Sequence, residues 1–529
     1  MSTEPSTSFT GALATPHSLA TEAGMRAYRD GGNAIDAAIV AAAVLTVVYP
    51  HNVALGGDLI ALVRTPDGEV RCVNASGWAG AAADAAGLRA RHGRWLPARG
   101  ADAVTVPGGV RGWETLRRFG ARLSWEHTLR AAEAVARTGT AVAPSLATHI
   151  ADAENADLFG TEDFDRVFRP GGRSLRAGDN FTQQALANTF EVLRDEGPAT
   201  FYQGSLARRS VDYLRSHGSS LTVQDFVEFE PETVDPISVG FRGLTVLTSP
   251  PNTHGFLLLR ALRAIEELGV ADPLGVGLGT LMRIFHQGNV LRASYLADPR
   301  HVGVDVAALV NDGLDEMAEL GAGQAGPAIV PRGDTVGVAA ADDDGYAVSL
   351  IQSVYHAFGS GLIDPDTGIL FHNRGTNFSL DEASPNVIAP RKRPAHTLMP
   401  VMTMHERAPR HVLATMGGQG QPQILAQVLL GAMDGAGAEA AVAAPRAVVG
   451  LQVDGGTADS VTAEADLPTT ARTSIRRSGL VPLDVAPHTE NLGQANAVFI
   501  DDTGSMTAAS DPRSDGAGVV AHYPRLTKR

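Results

Sequence analysis

The sequence predicts an α+β layered protein whose sheet strands come from both ends of the chain. Three observations point there. Hairpin-like runs lie near the start, in the middle and near the end. Long stretches of helical periodicity separate them. The 58 glycines and 30 prolines are spread along the chain rather than gathered in one linker, as many short elements require. No fixed repeat period is visible, and the 529 residues amount to about three to four domain units by length.

The elements follow in order. Residues 19–49 read as two helices broken at Gly31-Gly32, with Asn33 as the N-cap of the second. Residues 59–65, the turn Pro66-Asp67-Gly68 and residues 69–74 read as a hairpin. Residues 110–300 are mainly helical in pattern, as at 124–138, with a short extended piece at 244–247. The stretch ELGAGQAGPAIVPRGD at 319–334 has no usable periodicity and reads as an exposed segment. A strand at 335–341, a turn at 342–345 and a second strand at 346–353 follow at once. A last hairpin pairs 495–500 with 505–509.

Composition excludes several classes. A content of 44% hydrophobic and 19% charged residues supports a large core and argues against wholesale disorder. A net charge of −15 without a strong basic run makes nucleic acid an unexpected partner. Cys72 is the only cysteine, so no intrachain disulfide and no cysteine-based metal cluster is available. The most apolar stretch, residues 35–49, carries Asp36 and is too short to span a bilayer. The opening MSTEPSTSFTGAL lacks the basic and apolar regions of a secretion signal, so the expectation is a soluble, cytoplasmic protein.

The hairpin that starts at Thr335 carries the chemistry. A turn centred on Asp343-Asp344 sets Thr335 opposite Gln352 or Ser353. A hydroxyl on the first residue of a strand, beside a second hydroxyl and behind a flexible segment, is what an N-terminal nucleophile requires. The α-amino group of the same residue can serve as its base, but only once the Asp334–Thr335 bond is cut. On this pattern alone an ordinary strand threonine behind a loop fits as well.

Longer motifs narrow the choice. ATPHSLATEAG, GGNAIDAAIVAAAV and YPHNVALGGDLIALV open the chain; VPGGVRGW, FYQG, LTVQDF and SPPNTHG follow. Then come GDTVGVAAADDDGYAVSLIQSVYHAFGSGL, TGILFHNRGTNFSL, RKRPAHTLMP, MGGQGQPQ and SDPR. In this order they resemble the γ-glutamyltransferase (γ-glutamyl transpeptidase) family of N-terminal nucleophile hydrolases over roughly residues 10–515. The resemblance implies an αββα sandwich and a precursor that cuts itself into a large chain, 1–334, and a small chain, 335–529, which stay together. It implies that Thr335 attacks a small amide and passes the acyl group to water or an amine. Ser353 matches the hydroxyl that steadies the nucleophile and assists processing. Gly420 and Gln421 match the paired backbone donors of the oxyanion, worth ~3 kcal/mol each in comparable systems.

The groups that recognise glutamate in that family are replaced here. Ser76 stands at the arginine position and His396-Thr397 at the hydroxyl pair. Asn377 stands at the acidic position, Arg374 at the side chain before it, and Tyr355 where an asparagine follows the equivalent of Ser353. The implication is retained acyl-transfer chemistry on a different acyl group, in the manner of cephalosporin and glutaryl acylases. A dedicated biosynthetic acylase and a ligand-binding pseudoenzyme are the alternatives, and retention of both Thr335 and Ser353 speaks against the second. Arg374 is balanced between a structural partner for a carboxylate and a substrate clamp. Asp511 and Arg513 are expected to brace the C-terminal strands. His51, His254, His356, His372 and His396 lack metal-ligand spacing, so no metal is expected. GGNA and ALGG are packing glycines without a Walker lysine, so no phosphate or other cofactor is expected. Whether two copies associate is left open.

Overall fold

Asn33 starts the longest buried helix as expected. Helices Ser18–Arg29 and Ala34–Val48 are separated at Gly31-Gly32 in a computed structural model that describes residues 8–321 and 334–525. The Asn33 side chain accepts the N–H groups of Ile35 and Asp36, while the Asp36 carboxylate accepts the N–H of Asn33 at 3.0 Å. Every residue of Ala34–Val48 is buried. Such a helix lies between other layers rather than at a surface.

Two sheets form the centre. The first runs Ala517–Pro524, Ser8–Thr15, Asp334–Asp342, Ala347–Tyr355, Asp58–Arg64, Val70–Ala75 and Glu232–Val234 in spatial order. The second runs Met506–Ser510, Ala495–Ile500, Ala408–Thr415, Val401–His405, Leu244–Thr248 and Ile237–Phe241. Ile60, Leu62, Ala339, Ile351, Met402 and Val412 fill the space between them. Helices Ser18–Arg29, Ala34–Val48, Trp125–Thr138 and Gln184–Glu196 cover the first sheet. Helices Phe256–Glu267, Leu278–Tyr295 and Gln421–Met433 cover the second. The order helix, sheet, sheet, helix is the αββα sandwich.

All three expected hairpins form, and the 244–247 piece is the strand Leu244–Thr248. In these two sheets four outer strands escaped the sequence reading: Ala517–Pro524, Glu232–Val234 and Ile237–Phe241 at edges, and Ser8–Thr15 next to one. The central pair Val401–His405 and Ala408–Thr415 was not foreseen either. Of the segment expected to be exposed, residues 322–333 lie outside the described residues. Asp334 corrects that expectation, because it opens a fully buried strand and is 4% exposed. Its backbone pairs with Tyr355, and a paired strand in a covered sheet has no face left for solvent.

Gly337 shows how closely the layers meet near the start of the Thr335 strand. A β-carbon there would lie 2.7 Å from the Ala414 carbonyl carbon and the Thr415 nitrogen. Only glycine permits that approach. It brings the chain after Thr415 beside the start of the Thr335 strand.

Candidate active site

Thr335 is the second residue of its strand and 1% exposed. The register runs regularly to Val336 opposite Gln352, and then a bulge sets Tyr355 against Asp334. The bulge is what aims Ser353. Its hydroxyl donates to the Asp334 carbonyl at 2.6 Å, accepts the Thr335 hydroxyl at 3.0 Å and accepts the Tyr355 N–H at 2.8 Å. Ser353 therefore holds the nucleophile and the carbonyl of the bond before it on one oxygen. A proton leaving Thr335 has an acceptor in Ser353, whose own proton already points at the carbonyl oxygen. Asn52 Nδ2 donates to the Thr335 carbonyl at 3.4 Å and secures the strand from the other side.

The bulge places Tyr355 at a φ of 82°. A tyrosine there costs on the order of 1–3 kcal/mol, so its surroundings must hold it. They do. The Arg374 guanidinium lies 3.5 Å from the centre of its ring, and its hydroxyl donates to Asn377 Oδ1 at 3.0 Å. Arg374 and Asn377 begin and end one 3-10 turn, Arg374–Asn377. Arg374 also donates to Thr397 Oγ1 at 2.9 Å, and Asn377 donates to the Ala395 carbonyl at 2.6 Å. Four of the expected recognition residues thus form one wall. Arg374 is 1% exposed, and its Nη1 has no hydrogen-bond partner among the described residues. Burial pulls its pKa down to about 10, so it stays cationic at neutral pH.

Asp58 is the carboxylate whose field reaches Arg374, but it is already engaged. His396 lies 3.2 Å and His372 3.5 Å from it, and it accepts the N–H groups of Gly77 and Gly108. These partners outweigh the cost of burial and hold Asp58 well below the usual carboxylate range.

Two expected recognition residues take other roles. His396 spends Nε2 on Asp58 and Nδ1 on the Leu398 N–H, and burial lowers its pKa to about 3. It braces Asp58 as a neutral ring. Ser76 is 1% exposed, donates to Asn74 Oδ1 at 2.7 Å and accepts from Asn252 Nδ2 at 3.2 Å. A buried hydroxyl satisfied by its neighbours offers no group to a ligand.

Gly420 and Gln421 also differ from expectation. The turn Gly418–Gly420 leads into the helix Gln421–Met433. The Gly420 N–H donates to the Gly417 carbonyl at 2.8 Å, and the Gln421 N–H donates to Gly418. Both backbone donors close the turn, and a 3-10 turn satisfies N–H groups that a helix start would leave free. The Gln421 side chain accepts the Met399 N–H at 3.2 Å, while its Nε2 is buried without a partner among the described residues. Asp511 and Arg513 brace the C-terminal region as expected, through Arg446 and Glu464.

Several polar groups around the site were not foreseen. Asp58, Asn52 and His372 lie inside the quoted motifs but carry no distinguishing pattern of their own. His149 and Glu490 come from a helix and a turn far apart in the chain, and no single-sequence signal unites them. A cavity of about 260 Å³ beside Asp334 is lined in part by His149, Asp152, Gly417, Gln452 and Glu490. Among the described residues no group of three His, Cys, Asp or Glu side chains is placed to hold a metal, and no helix is long and apolar enough to cross a membrane.

Comparison with known proteins agrees with this geometry. The chain is 33% identical over 524 residues to the glutathione hydrolase-like YwrD proenzyme of Bacillus subtilis, covering 96% of this chain and 98% of that one. It is 34% identical over 529 residues to the oxamate amidohydrolase proenzyme of Klebsiella pneumoniae, again covering 96% and 98%. The crystal structure of cephalosporin acylase from Bacillus halodurans superposes with a TM-score of 0.88 at 31% identity, covering 98% of each chain. The gamma-glutamyltranspeptidase profile matches residues 20–521. With Thr335 and Ser353 arranged on one hairpin of an αββα sandwich, the chain belongs to the gamma-glutamyltranspeptidase family.

Proposed function

We propose that this protein is a self-processing N-terminal threonine amidohydrolase whose preferred substrates are small amides with a carboxylate at the far end of a short acyl group. In maturation the Thr335 oxygen adds to the Asp334 carbonyl carbon, the C–N bond breaks, and the Thr335 nitrogen takes up the proton. Water then hydrolyses the resulting ester, leaving Asp334 as a carboxylate and Thr335 with a free hydroxyl and amine. In turnover the amine accepts the hydroxyl proton as Thr335 attacks the substrate amide and returns it to the departing nitrogen. Water releases the acyl group from the acyl-threonine, and an amine in place of water gives transfer.

The observation that carries the acyl preference is Arg374. It is a buried cation with one nitrogen unpartnered among the described residues, stacked on the residue whose N–H binds Ser353. A carboxylate in reach of Nη1 completes its hydrogen bonding, whereas the α-ammonium of a γ-glutamyl donor meets repulsion there. The oxamate amidohydrolase relative, whose name specifies such a substrate, supports the same reading.

The test is a panel of monoamides of oxalic, succinic and glutaric acids set against γ-glutamyl p-nitroanilide, with ammonia or nitroaniline release as the readout. A denaturing gel and N-terminal sequencing accompany it. The expected result is a small chain beginning at Thr335 and at least one carboxylate-bearing amide turned over far faster than the γ-glutamyl anilide. Equal or faster cleavage of the anilide overturns the acyl assignment.

A further inference from the structure

The side chain immediately before the bond to be cut is held in a pocket of its own. Asp334 Oδ1 lies 3.7 Å from His149 Nε2, and the same nitrogen lies 3.6 Å from Glu490 Oε2. The Asp334 side chain is 5% exposed and that of His149 14%. His149 sits near the end of the helix Pro144–Ala151, and its ring lies over that of His51 with centroids 4.7 Å apart. One imidazole therefore stands between two carboxylates on different segments, with Asp152 acting on it from the end of its own helix. His149, Asp152, Asp334 and Glu490 line the same cavity as Met416 and Gly417, which lead into the glycine turn.

We propose that His149 is a positioning residue for self-cleavage: as an imidazolium it clamps the Asp334 side chain among the acidic groups and so aims the Asp334 carbonyl at the Thr335 hydroxyl. This rests on the reading that the chain cuts itself before Thr335. His149 supplies no atom to the reaction; the bond changes are those of Thr335 and Asp334 described above. Its influence passes through one residue, because the Asp334 carbonyl that Ser353 binds at 2.6 Å is fixed at one end of the residue whose carboxylate His149 holds at the other.

The charges around the clamp set its pH range. Burial disfavours the imidazolium, but Asp334, Glu490 and Asp152 together raise its pKa above the ordinary histidine value. His51, stacked on it, is kept neutral by burial and lies against Ser145, which in turn donates to Glu490. Asp515 faces Glu490 from the other side of Ser145, and its own pKa is raised by burial. Arg99 also acts on Asp334, but it faces Asp157 and Glu154 as well and donates to Asn155. Below the raised pKa of His149 the clamp is closed. Above it the imidazolium no longer stands between Asp334, Glu490 and Asp152, and the scissile carbonyl keeps its Ser353 bond without that clamp.

The experiment follows self-cleavage of the full-length precursor on denaturing gels over time, between about pH 5 and pH 9. Wild type is compared with His149→Gln, Asp334→Asn and the double variant. Wild type is expected to cut about tenfold faster than His149→Gln at low pH, the size of one charge-assisted contact, with the advantage fading as His149 titrates. In the Asp334→Asn background the His149→Gln change is expected to cost little, because the charge it holds is gone. Turnover per mole of processed chain should be the same for wild type and His149→Gln. Equal cleavage rates at every pH overturn the proposal. So does a deficit that ignores pH and persists in the Asp334→Asn background, which is what a purely structural defect would give. A wild-type chain that never cuts itself overturns the self-processing reading and this proposal together, whereas normal wild-type cleavage with an indifferent His149 overturns this proposal alone.

Discussion

The nucleophile corner and the recognition corner adjoin, yet they are built in different ways. Thr335 and Ser353 lie 18 residues apart on one hairpin, and backbone register with a single bulge brings them together. The wall of Arg374, Tyr355, Asn377 and Thr397 gathers side chains from a strand end, a 3-10 turn and a coil, each held by the others. Backbone pairing is insensitive to side-chain identity, so the reactive geometry survives substitution nearby. A wall of mutually supporting side chains changes its preference with one or two replacements. The contrast explains how one scaffold keeps acyl transfer while exchanging the acyl group it accepts.

The largest expected effect breaks the first corner outright. Thr335→Ala removes the hydroxyl assigned to attack the preceding carbonyl, and both the two-chain pattern on a gel and all amide turnover should vanish. A cleaved and active Thr335→Ala protein would refute the nucleophile assignment.

Arg374→Ala separates the two corners. Removing the cation that a carboxylate requires should cost about 2–5 kcal/mol in kcat/KM, or ~30- to several-thousand-fold, for carboxylate-bearing amides only. Self-cleavage should proceed at the wild-type rate, since the precursor uses Ser353 and not Arg374 on its carbonyl. A smaller loss is expected of Tyr355→Phe, which keeps the ring under Arg374 and deletes its bond to Asn377. About 1 kcal/mol, or roughly fivefold in kcat/KM, corresponds to one such neutral bond. A larger loss would show the phenol itself touching substrate.

The smallest effect lies away from both corners. Asn33→Ala dismantles the capping box of Ala34–Val48 and should lower stability by about 1 kcal/mol in denaturant unfolding. Cleavage and substrate preference should stay unchanged, which makes it a control for indirect effects.

The parts legible in the sequence were those set by local rules. The Asn33 cap, the Asp-Asp-Asp-Gly turn and the Pro-Asp-Gly turn each announce an element within a few residues, and each element formed. The strand Val401–His405 hid because four of its five residues are buried, so no polar alternation marks it. The strands Ser8–Thr15 and Ala517–Pro524 hid because each pairs with the other from the far end of the chain. In the candidate site, the juxtaposition of Thr335 and Ser353 was legible from turn register. The destinations of Ser76 and His396 were not. Their partners, Asn252 and Asp58, are more than 170 and 330 residues away, and only the folded chain reveals that their hydrogen bonds are already used.

The position of the Thr335 strand has a consequence for how the mature protein is lost. It is third in a sheet of seven, between Ser8–Thr15 from the large chain and Ala347–Tyr355 from the small one. Before cleavage these strands search for one another on a single tether, at a high effective concentration. Cleavage removes that tether after the search is over. If the cut protein unfolds, its two pieces must meet again as separate molecules, each exposing unpaired strand edges that favour aggregation over reunion. The enzyme can assemble readily once, and thereafter its lifetime is governed by the rate at which it first comes apart.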